Sequence, residues 1–190
     1  MKCVVIFGPS AVGKAAVGKK LADMLGFKLF HNHMVIELVY NFFTWNDDAF
    51  GPLITKIRNQ IFEKIKNSKI KGIVFTYVWA LDQEEDHKEL MEYMSSLGID
   101  LQSLFFVELE ADQDIRLLRN KEQERLIEKK TKRNISESEN FLLESERRHK
   151  LNSENDFFYP ELHLKIDNSY LDVDATAEII LDRLNNRGFV

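Results

Sequence analysis

Two glycines and a lysine stand at the spacing Gly8-Pro-Ser-Ala-Val-Gly-Lys14, directly after an apolar run at residues 3–7. A loop of this kind can turn its backbone N–H groups toward one point. A helix starting at its end adds unpaired N–H groups and the positive end of a dipole. Lys14 adds a full positive charge. Together these groups form a cradle for phosphate, and Lys14 is placed to reach the β- and γ-phosphates of a nucleoside triphosphate. The competing reading is an ordinary glycine turn beside a solvated lysine. The order strand, loop, helix favours the cradle, with Gly8, Ser10, Ala11, Val12, Gly13, Lys14, Ala15 and Ala16 as the expected phosphate-binding residues.

One position departs from the pattern. The lysine is normally followed by Ser or Thr, whose hydroxyl binds Mg2+. Here Ala15 and Ala16 follow, and neither can ligate a metal. ATP or GTP with Mg2+ is the expected ligand, but no protein ligand for the metal is identifiable. Ser10 or an added water is the substitute the sequence offers. A carboxylate to assist the metal is equally hard to place. The run at 72–78 ends without one, Asp82 also reads as a helix cap, and Glu108 and Glu110 end the next run.

His31 and His33 stand two apart. On a continuing strand they would share a face, where a neutral imidazole can take a proton from a substrate hydroxyl. Alternatively Asn32 caps the following helix and the histidines are structural. No third ligand accompanies them, so no metal site is expected. Arg58 is a cation on an otherwise apolar-faced helix at 50–65, which by itself reads as a solvated residue. Tyr77 and Trp79 line either an acceptor pocket or the core. The stretch from Arg116 to Arg133 carries eight basic residues (Arg116, Arg119, Lys121, Arg125, Lys129, Lys130, Lys132 and Arg133) against Glu122, Glu124 and Glu128. By itself such a run reads as a solvated charged helix.

The segment Gly13-Lys-Ala-Ala-Val-Gly-Lys-Lys-Leu-Ala-Asp-Met-Leu-Gly-Phe-Lys-Leu-Phe30 resembles the opening of P-loop proteins of the shikimate-kinase, nucleoside-monophosphate-kinase and chloramphenicol-phosphotransferase kinds. The sequence is most similar to an AAA-type bacterial P-loop family of uncharacterised function. That family shares a Gly-Pro-Pro-Ala-Val-Gly-Lys loop, the phrase Leu29-Phe-His-Asn-His33 and the ending Ile166-Asp-Asn168. The resemblance implies a kinase fold with a mobile lid around 119–150 and an acceptor region after the second strand, at His31, His33 and Arg58. It implies a base-contacting loop at Asn168, and Arg119 and Arg125 as lid arginines acting with Lys14 on the transferring phosphoryl group. Shikimate-kinase-like proteins carry an aspartate pair where this chain has His31-Asn32-His33, so shikimate is not the expected acceptor. The phrase His-Asn-His is not a nuclease signature either, since that motif spreads over a longer segment.

These residues need a scaffold. The chain has 190 residues, enough for one domain with a full core. Hydrophobic residues make up 44% and charged residues 30%, the balance of a water-soluble globular domain. A formal charge of −5 argues against a general nucleic-acid surface. The lone Cys3 excludes an internal disulfide. No run is long enough to span a bilayer or to serve as a secretory signal, so a cytoplasmic protein is expected. Strand-like runs at 3–7, 27–30, 72–78, 101–109 and 162–166 alternate with helical patterns at 34–43, 50–65, 82–97, 115–127, 136–150 and 176–184, after a first helix closed by Gly26. The pattern predicts an α/β three-layer sandwich of the P-loop NTPase type, with about five parallel strands and helices on both faces. Small-molecule phosphorylation is the expected activity. The alternatives are a nucleotide-binding regulator without efficient transfer and a nucleotide hydrolase.

Overall fold

A computed structural model describes residues 1–190. The elements are β1 (Lys2–Phe7), α1 (Lys14–Leu25), β2 (Lys28–His31), α2 (His33–Tyr40), α3 (Phe50–Lys66), β3 (Gly72–Thr76), α4 (Glu84–Ser96), β4 (Leu104–Glu110), α5 (Gln113–Asn120), α6 (Gln123–Glu128), α7 (Ile135–Arg148), β5 (His163–Asp167) and α8 (Val173–Asn186). No helix is long and apolar enough to cross a membrane.

All five strands are parallel, in the order β2-β3-β1-β4-β5. Parallel neighbours need crossover connections, which is why helices separate the strands. The pleat divides β1 between two cores. Cys3, Val5 and Phe7 face α2, α3 and α4, together with Phe30, Phe62, Phe75, Leu90 and Phe106. Val4 and Ile6 face α1 and α8, together with Val17, Leu21, Val107, Ala177 and Ile180. A strand buried on both sides must be apolar at every position, so β1, β3 and β4 read as continuous apolar runs. Parallel alignment also brings the carboxyl ends of all five strands to one edge, where α/β sheets hold their ligands.

Three local expectations change. The strand ends at His31 and α2 begins at His33, so the two histidines do not share a strand face. The capping box at Asp82 does not form: Asp82 Oδ1 accepts from the backbone N–H of Lys150, and Gln83 precedes α4 without a side-chain cap. The single helix expected at 115–127 is two helices. Asn120, fully buried at the break, accepts from Arg125 Nε at 3.2 Å and from Ser138 Oγ at 2.9 Å. That pairing turns the chain back toward α7, and Leu118 and Ile127 are exposed.

Candidate functional site

The 8–14 loop joins β1 to α1 at the centre of the sheet. Gly8 has φ +134°, and a Cβ there would lie 2.2 Å from the Leu109 carbonyl oxygen. Glycine is therefore required both by backbone angle and by the close approach of β4. Gly13 has φ +101° just before α1, and Ala11 has φ +61°. Ala11 holds a left-handed conformation that an L-residue adopts at some cost, which is a strain often stored at ligand loops. The outcome of these angles is that no N–H from Ser10 to Ala16 donates to any group of the chain; the first helical bond runs from Val17 N–H to the Gly13 carbonyl. A row of donors without partners around one helix start can accept an anion.

Lys14 lies over this loop and donates from Nζ to the Gly8 carbonyl at 2.6 Å and to the Pro9 carbonyl at 2.7 Å. Lost hydration, followed by the charges of Lys129, Arg125 and Arg116, holds its pKa well below the ordinary lysine value. The charges of three further cations therefore reach Lys14, and of these Arg116 is ion-paired with Glu146. Arg116 is 2% exposed; its Nη1 reaches the Ser10 carbonyl at 3.4 Å, its Nε donates to the Ala111 carbonyl, and its Nη2 pairs with Glu146. Lys129 and Lys132 are each lowered to about 8, by lost hydration first and then by the charge of Arg125.

Arg119 does not join this group. Its Nη2 donates to the Asn168 carbonyl at 2.8 Å, and its Nη1 lies 3.5 Å from the Val12 carbonyl and 3.4 Å from Asn168 Oδ1. Asn168 Nδ2 in turn donates to the Val12 carbonyl at 2.9 Å. Arg119 and Asn168 thus brace the outside of the loop against the turn after β5. Arg119, expected at the transferring phosphoryl group, is engaged by the Asn168 turn here, while Arg116, one helical turn earlier on α5, reaches the Ser10 carbonyl. Arg116, Lys129 and Lys132 belonged to the basic segment without being singled out. A spacing of three from Arg116 to Arg119 was the only signal, and it does not say which of the two faces the loop.

On the other side, α2 presents His33, Glu37 and Asn41 as one stripe. His33 Nδ1 lies 3.1 Å from Glu37 Oε1. Glu37 also accepts from Thr131 Oγ1 at 2.5 Å, and Lys130 Nζ donates to Asn41 Oδ1 at 3.0 Å. The basic segment is therefore pinned to α2. Lost hydration outweighs the Glu37 hydrogen bond and brings His33 to about 4, so its ring is neutral at neutral pH. His31 is also lowered, by lost hydration and then by Lys129, and its Nδ1 is buried without a partner. Asn32 does not cap α2; its Oδ1 accepts from Arg58 Nη2 instead.

Arg58 is 6% exposed, which excludes the solvated reading. Its guanidinium is taken up by Asn32 and by the Tyr93 hydroxyl, at 2.9 Å from Nη1, leaving only Nε buried and unpaired. Tyr93 and Tyr77 both donate to Glu89 at 2.5 Å. Trp79 is fully buried among Phe7, Phe106 and Phe157 and belongs to the core. A cleft of about 510 Å3 opens between α4 and α7, lined by Val78, Ala80, Asp86, Phe141 and His149. None of the cations around Lys14 lines it.

No three or more His, Cys, Asp or Glu side chains cluster as a ready-made metal site, and Ala15 brings no hydroxyl to the loop. Glu108, fully buried at the end of β4, accepts from Ser153 N–H and Oγ and from Asn152 Nδ2, and lies 3.0 Å from His163 Nε2. Burial pushes its carboxyl up, but the hydrogen bonds from His163, Ser153 and Asn152 prevail and hold it at about 2. It serves the 152–163 turn. Glu110 pairs with Lys165 at 2.7 Å.

No model of a protein family matches the sequence, and neither does any curated protein. Solved structures do match the fold. An inferred kinase from Chloroflexus aurantiacus j-10-fl superposes with a TM-score of 0.62 at 13% identity, over 97% of this chain and 96% of that one. The chain has the P-loop kinase fold. A gluconokinase from Sinorhizobium meliloti 1021 shares it at TM-score 0.55 and 16% identity, over 99% of this chain and 95% of that one. Shikimate kinase from Acinetobacter baumannii in complex with shikimate shares it at 0.55 and 17%, over 98% and 94%. At such identities the likeness establishes the fold, and the activity has to be argued from the site.

Proposed function

We propose that this chain binds a nucleoside triphosphate, ATP or GTP, in the 8–14 loop and transfers its γ-phosphoryl group to a small-molecule acceptor. The observation that carries this reading is the row of unpartnered N–H groups from Ser10 to Ala16 beside Lys14. Phosphoryl transfer demands little covalent chemistry of the protein. It needs alignment and neutralisation of charge on the phosphoryl oxygens. Lys14 leaves the Gly8 and Pro9 carbonyls for the phosphate chain, and Arg116, Arg125 and Lys129 surround the group in flight, with residues around 119–150 acting as a lid. Ala11, Val12, Gly13, Ala15 and Ala16 contribute backbone only, and Arg119 and Asn168 hold the loop in shape. The acceptor lies between α2 and the end of β3. There His33 has a neutral ring whose Nδ1 side is held by Glu37, which leaves Nε2 to take the hydroxyl proton. Arg58 supports this wall through Asn32.

A second reading, a nucleotide binder without efficient transfer, is favoured by Ala15 and by the missing carboxylate after β3. Both readings require the cradle. ATP and GTP should raise the melting temperature of the chain, and Lys14→Ala should remove that shift. Absence of any shift in the unaltered chain would end both readings. Transfer of labelled γ-phosphate to members of a panel of small hydroxylated acceptors separates the first reading from the second, and phosphate release without acceptor identifies a hydrolase.

A further inference from the structure

The cradle is complete in its donors and lacks a seat for a metal. Ala15 occupies the position whose hydroxyl would touch Mg2+, and its methyl group offers no lone pair. The carboxylates around the edge of the sheet are committed elsewhere. Glu108 is held by Ser153, Asn152 and His163, Glu37 by Thr131 and His33, Glu146 by Arg116, and Asp167 by Ser169 Oγ and N–H. In their place stand cations. Arg116 touches the loop carbonyl of Ser10, and the charges of Arg125 and Lys129 are felt at Lys14. Lys132 extends the group, and the 130–132 turn that carries it is tied to α2 by the Thr131–Glu37 and Lys130–Asn41 hydrogen bonds. Like charges gathered at partly buried positions repel one another until an anion arrives, so a polyphosphate relieves a cost already present in the free chain.

We propose that this chain takes its nucleoside triphosphate through protein cations alone, with no protein ligand to Mg2+, so that the metal-free polyphosphate binds at least as well as its Mg2+ complex. The inference rests on the nucleotide-binding reading above and adds the form of the ligand. Where a Ser or Thr hydroxyl ligates the metal, Mg2+ and protein hold the triphosphate together. Here Mg2+ would compete with Lys14, Arg116, Arg125, Lys129 and Lys132 for the same phosphate oxygens.

Isothermal titration calorimetry of the full chain with ATP and with GTP, in EDTA and in excess Mg2+, tests this. The expected dissociation constants in EDTA are equal to or lower than those in Mg2+, within about threefold if equal. The Lys129→Ala, Lys132→Ala double variant should lose about tenfold or more in EDTA and less in Mg2+. Ala15→Thr, on a partly exposed position at the start of α1, should tighten the Mg2+ complex by about tenfold more than it changes the EDTA value. Unliganded melting temperatures confirm that each variant is folded. Binding by the unaltered chain that requires Mg2+ by more than about tenfold overturns the inference and leaves the nucleotide reading standing; loss of that requirement in Ser10→Ala would then assign the metal to Ser10. A folded double variant with unchanged affinity in EDTA overturns it as well. No binding in either medium removes the nucleotide reading itself.

Discussion

The loop at residues 8–14 and the wall formed by Asn32, Arg58, Tyr93, Glu89 and Tyr77 treat their polar groups in opposite ways. In the loop, the N–H groups from Ser10 to Ala16 have no partner in the chain, and the charges of Lys129, Arg125 and Arg116 depress the pKa of Lys14 further after burial. In the wall, nearly every polar atom is spoken for: Arg58 by Asn32 and Tyr93, Glu89 by Tyr77 and Tyr93. A polar group left unpaired within the chain must find water or a ligand, so a row of such groups is open to a ligand that completes it. A closed network needs no ligand and holds a surface in shape. The contrast is the basis for proposing phosphate at the loop and a scaffolding role for Arg58, whose Nε is left unpaired together with His31 Nδ1.

The largest effect on this contrast should come from Gly8→Ala. Its Cβ would meet the Leu109 carbonyl at 2.2 Å with φ at +134°, so the loop or β4 must move. We expect about 4 kcal/mol of destabilisation in urea unfolding, together with loss of nucleotide-dependent stabilisation. Arg58→Met tests the closed wall. It leaves Asn32 Oδ1 without its donor and removes a hydrogen bond from Tyr93, at an expected cost of about 3 kcal/mol without any ligand present. If Arg58 were a free anion-binding residue, stability would hold and only acceptor affinity would fall.

A smaller effect comes from pH. Lys129 and Lys132 have folded values of about 8, below the ordinary 10.5. Because the folded values are depressed, the unfolded chain binds more protons between pH 8 and 10.5, and the stability of the ligand-free chain should rise across that window. A bound polyphosphate restores the protonated lysines, so binding takes up protons there. Affinity should fall by up to about tenfold per lysine for each pH unit above 8, as read by calorimetry in buffers of different ionisation enthalpy. A flat affinity profile would place these lysines outside the phosphate field. The smallest effect is expected from Thr131→Val, which removes the 2.5 Å hydrogen bond to Glu37. A local loss of about 1 kcal/mol should speed amide exchange at 129–133 while global unfolding stays unchanged.

Much of the fold was legible in the residues. The runs at 3–7, 72–78 and 101–109 became β1, β3 and β4 because strands buried on both faces leave little room for polar residues. Gly26 closed α1 as expected, in the left-handed conformation and with its N–H on the Ala22 and Asp23 carbonyls. What failed was local pattern without its partners. Asp82-Gln-Glu-Glu85 has the composition of a capping box, yet the Asp82 carboxylate is held by the Lys150 N–H from across the fold. The stretch at 115–127 has the apolar spacing of one helix, but the buried pairing of Asn120 with Ser138 and Arg125 breaks it.

The sequence by itself determined the parallel α/β scaffold and the glycine-lysine loop between β1 and α1, including the absence of a hydroxyl at Ala15. Those features depend on residues that are neighbours in the chain, where spacing and backbone angle decide the outcome. Only the tertiary structure decided that Arg116 reaches the loop while Arg119 braces it, that Arg58 is internally engaged, that Glu108 serves the 152–163 turn, and that Thr131 is tied to Glu37. Each of these joins residues far apart in sequence: 106 positions separate Ser10 from Arg116, and 94 separate Glu37 from Thr131. Such partners are selected by the strand order and by the burial that order imposes, which no spacing along the chain encodes.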